Sequence, residues 1–100
     1  VAGTNEHGLL PGAVIAREVQ VNSVNHEGSI LVLETGIGNI MVDGQGDDSL
    51  VQAVEESATL AMIQGDMLHV EMVLLEGDSG TSRFRARKIA GPGLSEVILP

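Results

Sequence analysis

Four of the five basic residues in this 100-residue chain, Arg83, Arg85, Arg87 and Lys88, fall within six positions, interleaved with Phe84 and Ala86. Arg17 is the one base elsewhere, against fourteen Asp and Glu and a formal net charge of −9. On a strand, alternate residues project to one side about 6–7 Å apart. Arg83, Arg85 and Arg87 then form a row able to grip phosphates or an acidic protein face. Three readings stay open. The row pairs with the chain's own acids, for instance Glu71 or Glu18 on an adjacent strand, or guards a sheet edge against aggregation. It docks an acidic protein or further copies of this chain, steered by the polarity of the field. Or, with Phe84 and Arg17, it holds nucleic acid, against which the lack of interleaved aromatics counts.

Other chemistry-bearing residues have simpler explanations. Gly77-Asp78-Ser79-Gly80 matches a short run that serine proteases place around their nucleophile, but that serine needs a histidine base, a buried aspartate and an oxyanion hole. His7, His26 and His69 fall in an arm, a turn and a strand, so the run reads as a hairpin turn. Asp43, Asp47 and Asp48 are weak candidates for calcium ligands, without EF-hand spacing, and Asp47-Asp48 is also what precedes a helix N-terminus, so no metal is expected. Gly36-x-Gly38 lacks the helix start of a phosphate loop. Glu55 and Glu56 point in different directions on a helix and read as its solvated face. With no nucleophile–base pair, metal cluster or cofactor fingerprint, the expectation is a protein that is not an enzyme and takes no cofactor.

The elements that must position the basic row follow from periodicity. Residues 1–12 read as an extended arm, 13–90 as a β-barrel domain, and 91–100 as a C-terminal arm or short strand. From Val14 the chain alternates as one strand, with Arg17, Val19, Val21 and Ser23 on one face. Asn25-His26-Glu27-Gly28 is a turn, 29–35 a buried strand, Gly36 to Asn39 a turn, and 39–42 a third strand. The helix is predicted over 49–63, with Ser49 and Gln52 at capping-box spacing, Leu50, Val54, Ala58 and Ala61 inward, and Gly65 ending it. Along 66–75, Leu68, Val70, Met72 and Leu74 face one way and Met67, His69, Glu71 and Val73 the other. Over 82–89, Phe84 and Ala86 point inward and the arginines outward.

Residues 19–88 resemble an OB-fold domain of the S1 or initiation-factor type. The likeness rests on Val21-Asn22-Ser23-Val24, then Gly28 and the strand over 30–33, then Gly36-Ile37-Gly38. It continues through Gly65-Asp66-Met67-Leu68-His69-Val70 into the Arg/Lys-rich fifth strand. The resemblance implies a mainly β fold, a small five-stranded barrel with one helix between strands 3 and 4. It also implies RNA binding across strands two and three. Those strands usually present aromatics, whereas the candidates here are Ile30, Val32, Ile40 and Val42, and a charge of −9 repels phosphate.

The expectation is therefore a structural or adaptor β-domain that associates with itself or another protein through residues 83–88 and apolar terminal arms. Leu9-Leu10 and Val97-Ile98-Leu99 are apolar enough to dock on the chain's own core or on a neighbour. The alternative is an OB-type binder of RNA or single-stranded nucleic acid. No apolar run approaches the roughly 18 residues of a spanning helix, one aromatic residue makes no interfacial belt, and no targeting motif is visible. No membrane partner is expected. A first residue of Val1 points to processing or excision, and the lack of cysteine leaves the compartment open.

Overall fold

Alternating aliphatic residues build the architecture seen in the computed structural model, which describes residues 11–78 and 81–99. The strands are β1 (Val14–Val19), β2 (Val21–Glu27), β3 (Ile30–Thr35) and β4 (Gly38–Asp43). After them come the helix α1 (Asp48–Gln64) and then β5 (Leu68–Asp78), β6 (Thr81–Gly91) and β7 (Leu94–Ile98). They form one sheet in the order β1-β5-β6-β4-β3-β2, with β7 also paired to β6. Every ladder is antiparallel except β4–β6. That parallel pair is possible because α1 and β5 supply the long return connection that parallel strands need.

One face of this sheet is the core. Leu68, Val70, Met72 and Leu74 of β5 meet Phe84, Ala86 and Ile89 of β6, with Leu31, Leu33, Ile40 and Val42 beyond them, all buried. The helix packs Val51, Val54, Ala58 and Ala61 against this layer. Its ends are chemically defined. The Asp47 side chain accepts from the Leu50 amide, and Gly65 closes the last turn in the left-handed region at φ 73°. The expected Ser49–Gln52 capping box is therefore replaced by Asp47, two residues earlier.

The five-stranded barrel is corrected by this topology. Among the described residues there are seven strands, the helix follows the fourth, and no ladder closes the sheet between β1 and β2. Two features account for the count. The run from Val14 that reads as a single strand is two, leaving β5 and joining β3 with only Gln20 between. Val19 and Val21 both remain buried across that junction, which is why alternation alone hides the break. The C-terminal arm supplies the seventh strand: β7 runs antiparallel to β6, and the Leu99 amide donates to the Arg87 carbonyl at 2.8 Å. The turn predicted from Asn25 is also later, since β2 continues through Glu27 and only Gly28, at φ +64°, and Ser29 turn. The proposed N-terminal arm lies outside the described residues up to position 10; Gly12 already donates to Leu74 at 2.7 Å, extending the β1–β5 edge.

Where β4 meets β6, Gly38 has φ +137°, and a Cβ there would lie 2.3 Å from the Ser82 carbonyl oxygen. Both the conformation and the approach exclude a side chain. We expect Gly38→Ala to destabilise the domain by about 2 kcal/mol or more. Gly36→Ala, two residues away with ordinary φ and open space around it, should stay within about 0.5 kcal/mol of the parent. Urea midpoints of the two variants check the contrast; equal effects would remove the special role of this crossing.

Candidate functional site

Ladder register decides which side chains share a face, because directly opposed residues project to the same side. One row crosses all six strands of the main path: Val14, Val73, Arg85, Met41, Val32 and Asn25. Its members lie opposite the core, so Arg85 stands on the outer face between Val73 and Met41. A second row joins Arg83 to Asn39, Glu34 and Ser23. The expected outward setting of Arg83, Arg85 and Arg87 is found: all three are exposed, with Phe84 and Ala86 buried between them.

The row is not uniform. Arg87 has no ladder partner, because the pairing slips between Glu71–Lys88 and Met72–Ala86, which makes it the extra residue of a bulge. Lys88 then falls opposite Glu71, and its Nζ lies 3.8 Å from Glu96. The internal-pairing reading thus holds at Lys88. Glu18 pairs elsewhere, 3.9 Å from His69. Edge protection does not apply to Arg83 and Arg85, since β6 is flanked by β5 on one side and by β4 and β7 on the other.

Two expected site residues are separated from this face. Phe84, at 1% exposure, fills the core opposite Leu74 and Ile40 and is withdrawn from any stacking role. Arg17 is exposed but lies in register with Val70, a core residue, so it belongs to the other side of the sheet from Arg85. The same register corrects the nucleic-acid positions. Ile40 and Val42 are fully buried in the core, and beside the half-buried Ile30, β3 and β4 present outward Val32, Glu34, Asn39 and Met41.

These residues line an open hollow of about 470 Å³ together with Asn25, Glu27 and Arg83. Asn25 Nδ2 donates to Ser23 Oγ at 3.1 Å and to a Glu34 carboxylate oxygen, which holds that carboxylate in place. Across the hollow an Arg83 guanidinium nitrogen donates to Met41 Sδ at 3.6 Å. Sequence reading passed over this hollow, although the outward alternation of Ser23, Asn25 and Glu27 on β2 was its available signal.

The remaining candidates resolve locally. Asp43 accepts from the Gln45 amide at 2.9 Å, in the turn where Gln45 takes φ +50°, and Asp47 caps the helix. No group of three or more His, Cys, Asp or Glu placed to hold a metal ion occurs among the described residues. His26, on β2 rather than in a turn, contacts Glu55 at 2.8 Å and fastens the β2–β3 hairpin to the helix. Glu55 is therefore turned from its exposed neighbour Glu56. Gly36 and Gly38 bracket a hairpin in which Thr35 Oγ1 donates to the Gly38 carbonyl at 2.7 Å. His7 and Ser79 lie outside the described residues. Among the described residues no helix is long and apolar enough to cross a membrane.

The class defined so far is a mainly β domain, one sheet covered by one helix, with a basic strand at its centre. No family model matches this chain, and no curated protein or solved structure is significantly similar to it.

Because the Asp47 carboxylate caps α1, Asp47→Ala should lower stability by about 1 kcal/mol. The loss should be the same in calcium as in a chelator. Thermal denaturation in the two buffers checks this, and a calcium-dependent gain in the parent that the variant lacks would restore the metal reading.

Proposed function

We propose that this chain is a non-enzymatic protein-docking module whose outer sheet face, centred on Arg83 and Arg85, receives an acidic protein surface or a further copy of the chain. The observation that carries this reading is the transverse row in which Arg85 sits between Val73 and Met41. A guanidinium bordered by aliphatic side chains suits a protein partner, which offers carboxylates and apolar contacts together. Arginine at the centre of such a patch is, with tryptophan and tyrosine, among the residue types enriched at the energetic centres of protein interfaces. Exposed apolar residues elsewhere, Ile63 at 77% and Ile98 at 72%, add surface for further contacts.

Binding of RNA or single-stranded nucleic acid is the second reading, and a fold argument favours it. β1 and β2 stand at the two ends of the sheet yet are joined by one residue, Gln20. The parallel β4–β6 pair, with the helix in its connection, is a feature shared with the OB pattern, here in an open sheet. Against nucleic acid stand the net charge of −9, the burial of Phe84, and the carboxylates of Glu27 and Glu34 beside the arginines.

Fluorescence anisotropy with a glutamate-rich peptide and with oligouridylate, alongside light scattering, separates the readings. The parent should bind the acidic peptide or self-associate, with salt weakening the contact. Arg85→Glu should abolish this while leaving the domain folded. A monomer that binds oligouridylate with a slope of about −0.7 per phosphate contact in log K against log salt would replace the docking reading. Unfolding of the Arg85→Glu variant would assign the row to internal pairing.

A further inference from the structure

The hollow beside the arginines carries the opposite charge. Glu27 and Glu34 line its β2–β3 side, Arg83 its β6 side with Arg85 in the adjacent row, and Val32 and Met41 lie between. Adjacent strands are about 4.7–4.9 Å apart, so three spacings separate β2 from β6, about 14 Å. In an extended peptide residues i and i+4 lie about 13 Å apart and share a side with i+2. We propose that this hollow binds an extended, bipolar peptide segment laid across the strands. Its acidic residue meets Arg83 and Arg85, its central aliphatic side chain rests on Val32 and Met41, and its basic residue meets Glu27 and Glu34.

Three features of the hollow support this occupant. The Glu34 carboxylate is held by Asn25, and the Arg83 guanidinium is steered over the floor by Met41, so both charged ends have defined positions. Val32 is only 8% exposed although it belongs to the outer row, which places a small apolar floor beneath the polar rim. Asn25 and Asn39 add amide groups along the walls, suited to the backbone of an extended segment. A phosphate chain, in contrast, would bring its negative charge against both glutamates. The inference rests on the docking reading, because it takes Arg83 and Arg85 as the acidic residue's receptor.

Three probes suffice: acetyl-Glu-Ser-Leu-Ser-Lys-amide and its counterparts with Glu at both ends or Lys at both ends. Each is titrated at millimolar concentration into the isotope-labelled chain while amide resonances are followed. The bipolar peptide should perturb β2, β3, β4 and β6 and bind about fivefold more tightly than the doubly acidic one, the size of an added exposed ion pair. In a Glu27→Gln, Glu34→Gln double variant, where the glutamine at position 34 can still accept from Asn25, that advantage should vanish while binding of the doubly acidic peptide is kept. If the doubly acidic peptide binds as well or better in the parent, the bipolar site is overturned and the docking reading stands. If the advantage survives the double substitution, the base binds elsewhere and the proposal falls. If the doubly basic peptide binds best, or no peptide perturbs this face, both fall.

Discussion

The structure depends on one strand that is paired along both edges and committed on both faces. β6 pairs with β5 along one edge, and with β4 and then β7 along the other. Its inward side chains, Phe84, Ala86 and Ile89, are central to the core, while Arg83 and Arg85 are central to the outer surface. Period-two alternation allows no compromise here, since a slip of one residue would bury the arginines and expose Phe84. The large cost of burying an unpaired guanidinium fixes the register as firmly as the gain from burying Phe84. The basic row is thus held by the same constraint that builds the core.

That constraint also explains the bulge. The alternation that places Phe84 and Ala86 inward would turn Lys88 inward too, whereas Ile89 is the residue that fills the core. Inserting Arg87 as an extra residue resets the phase, so that Lys88 reaches Glu96 and Ile89 meets Val70. Beyond this point β6 changes its second partner from β4 to β7. The bulge therefore divides the strand into a half presenting Arg83 and Arg85 on long cross-sheet rows and a half in which Lys88 approaches Glu96.

Strong alternation made β5 and β6 legible in the sequence, because only one assignment keeps Leu68, Val70, Met72 and Leu74 together and the arginines out. Gly65 likewise announced the helix end, since a glycine after a periodic apolar stripe has few other uses. The division at Gln20 was illegible for a physical reason: Val19 and Val21 face the core on both sides of it, so periodicity passes straight through. The faces of β4 were ambiguous because Ile40 and Val42 alternate with Met41, another apolar residue. The hollow was harder still. Asn25, Glu34 and Arg83 come from three distant segments, and only the β2–β3, β3–β4 and parallel β4–β6 registers bring them into neighbouring positions.

Under the proposed docking reading, charge and apolar surface divide the work of recognition on this face. An exposed ion pair contributes only about 0.2–1 kcal/mol, so Arg83 and Arg85 together supply less than a micromolar complex requires, about 8 kcal/mol. Their field acts mainly on encounter and orientation, the more so because the rest of the molecule is acidic and repels the same partners elsewhere. Retention must come from apolar area, at about 25 cal/mol per Å² removed from water. On this face that area is aliphatic, in Val14, Val73, Met41 and the floor at Val32. Aliphatic surface does not stack on bases, but it accepts leucine, valine or methionine from another protein. In that proposal the arginines select where a partner lands, and the row they interrupt determines what kind of partner can stay.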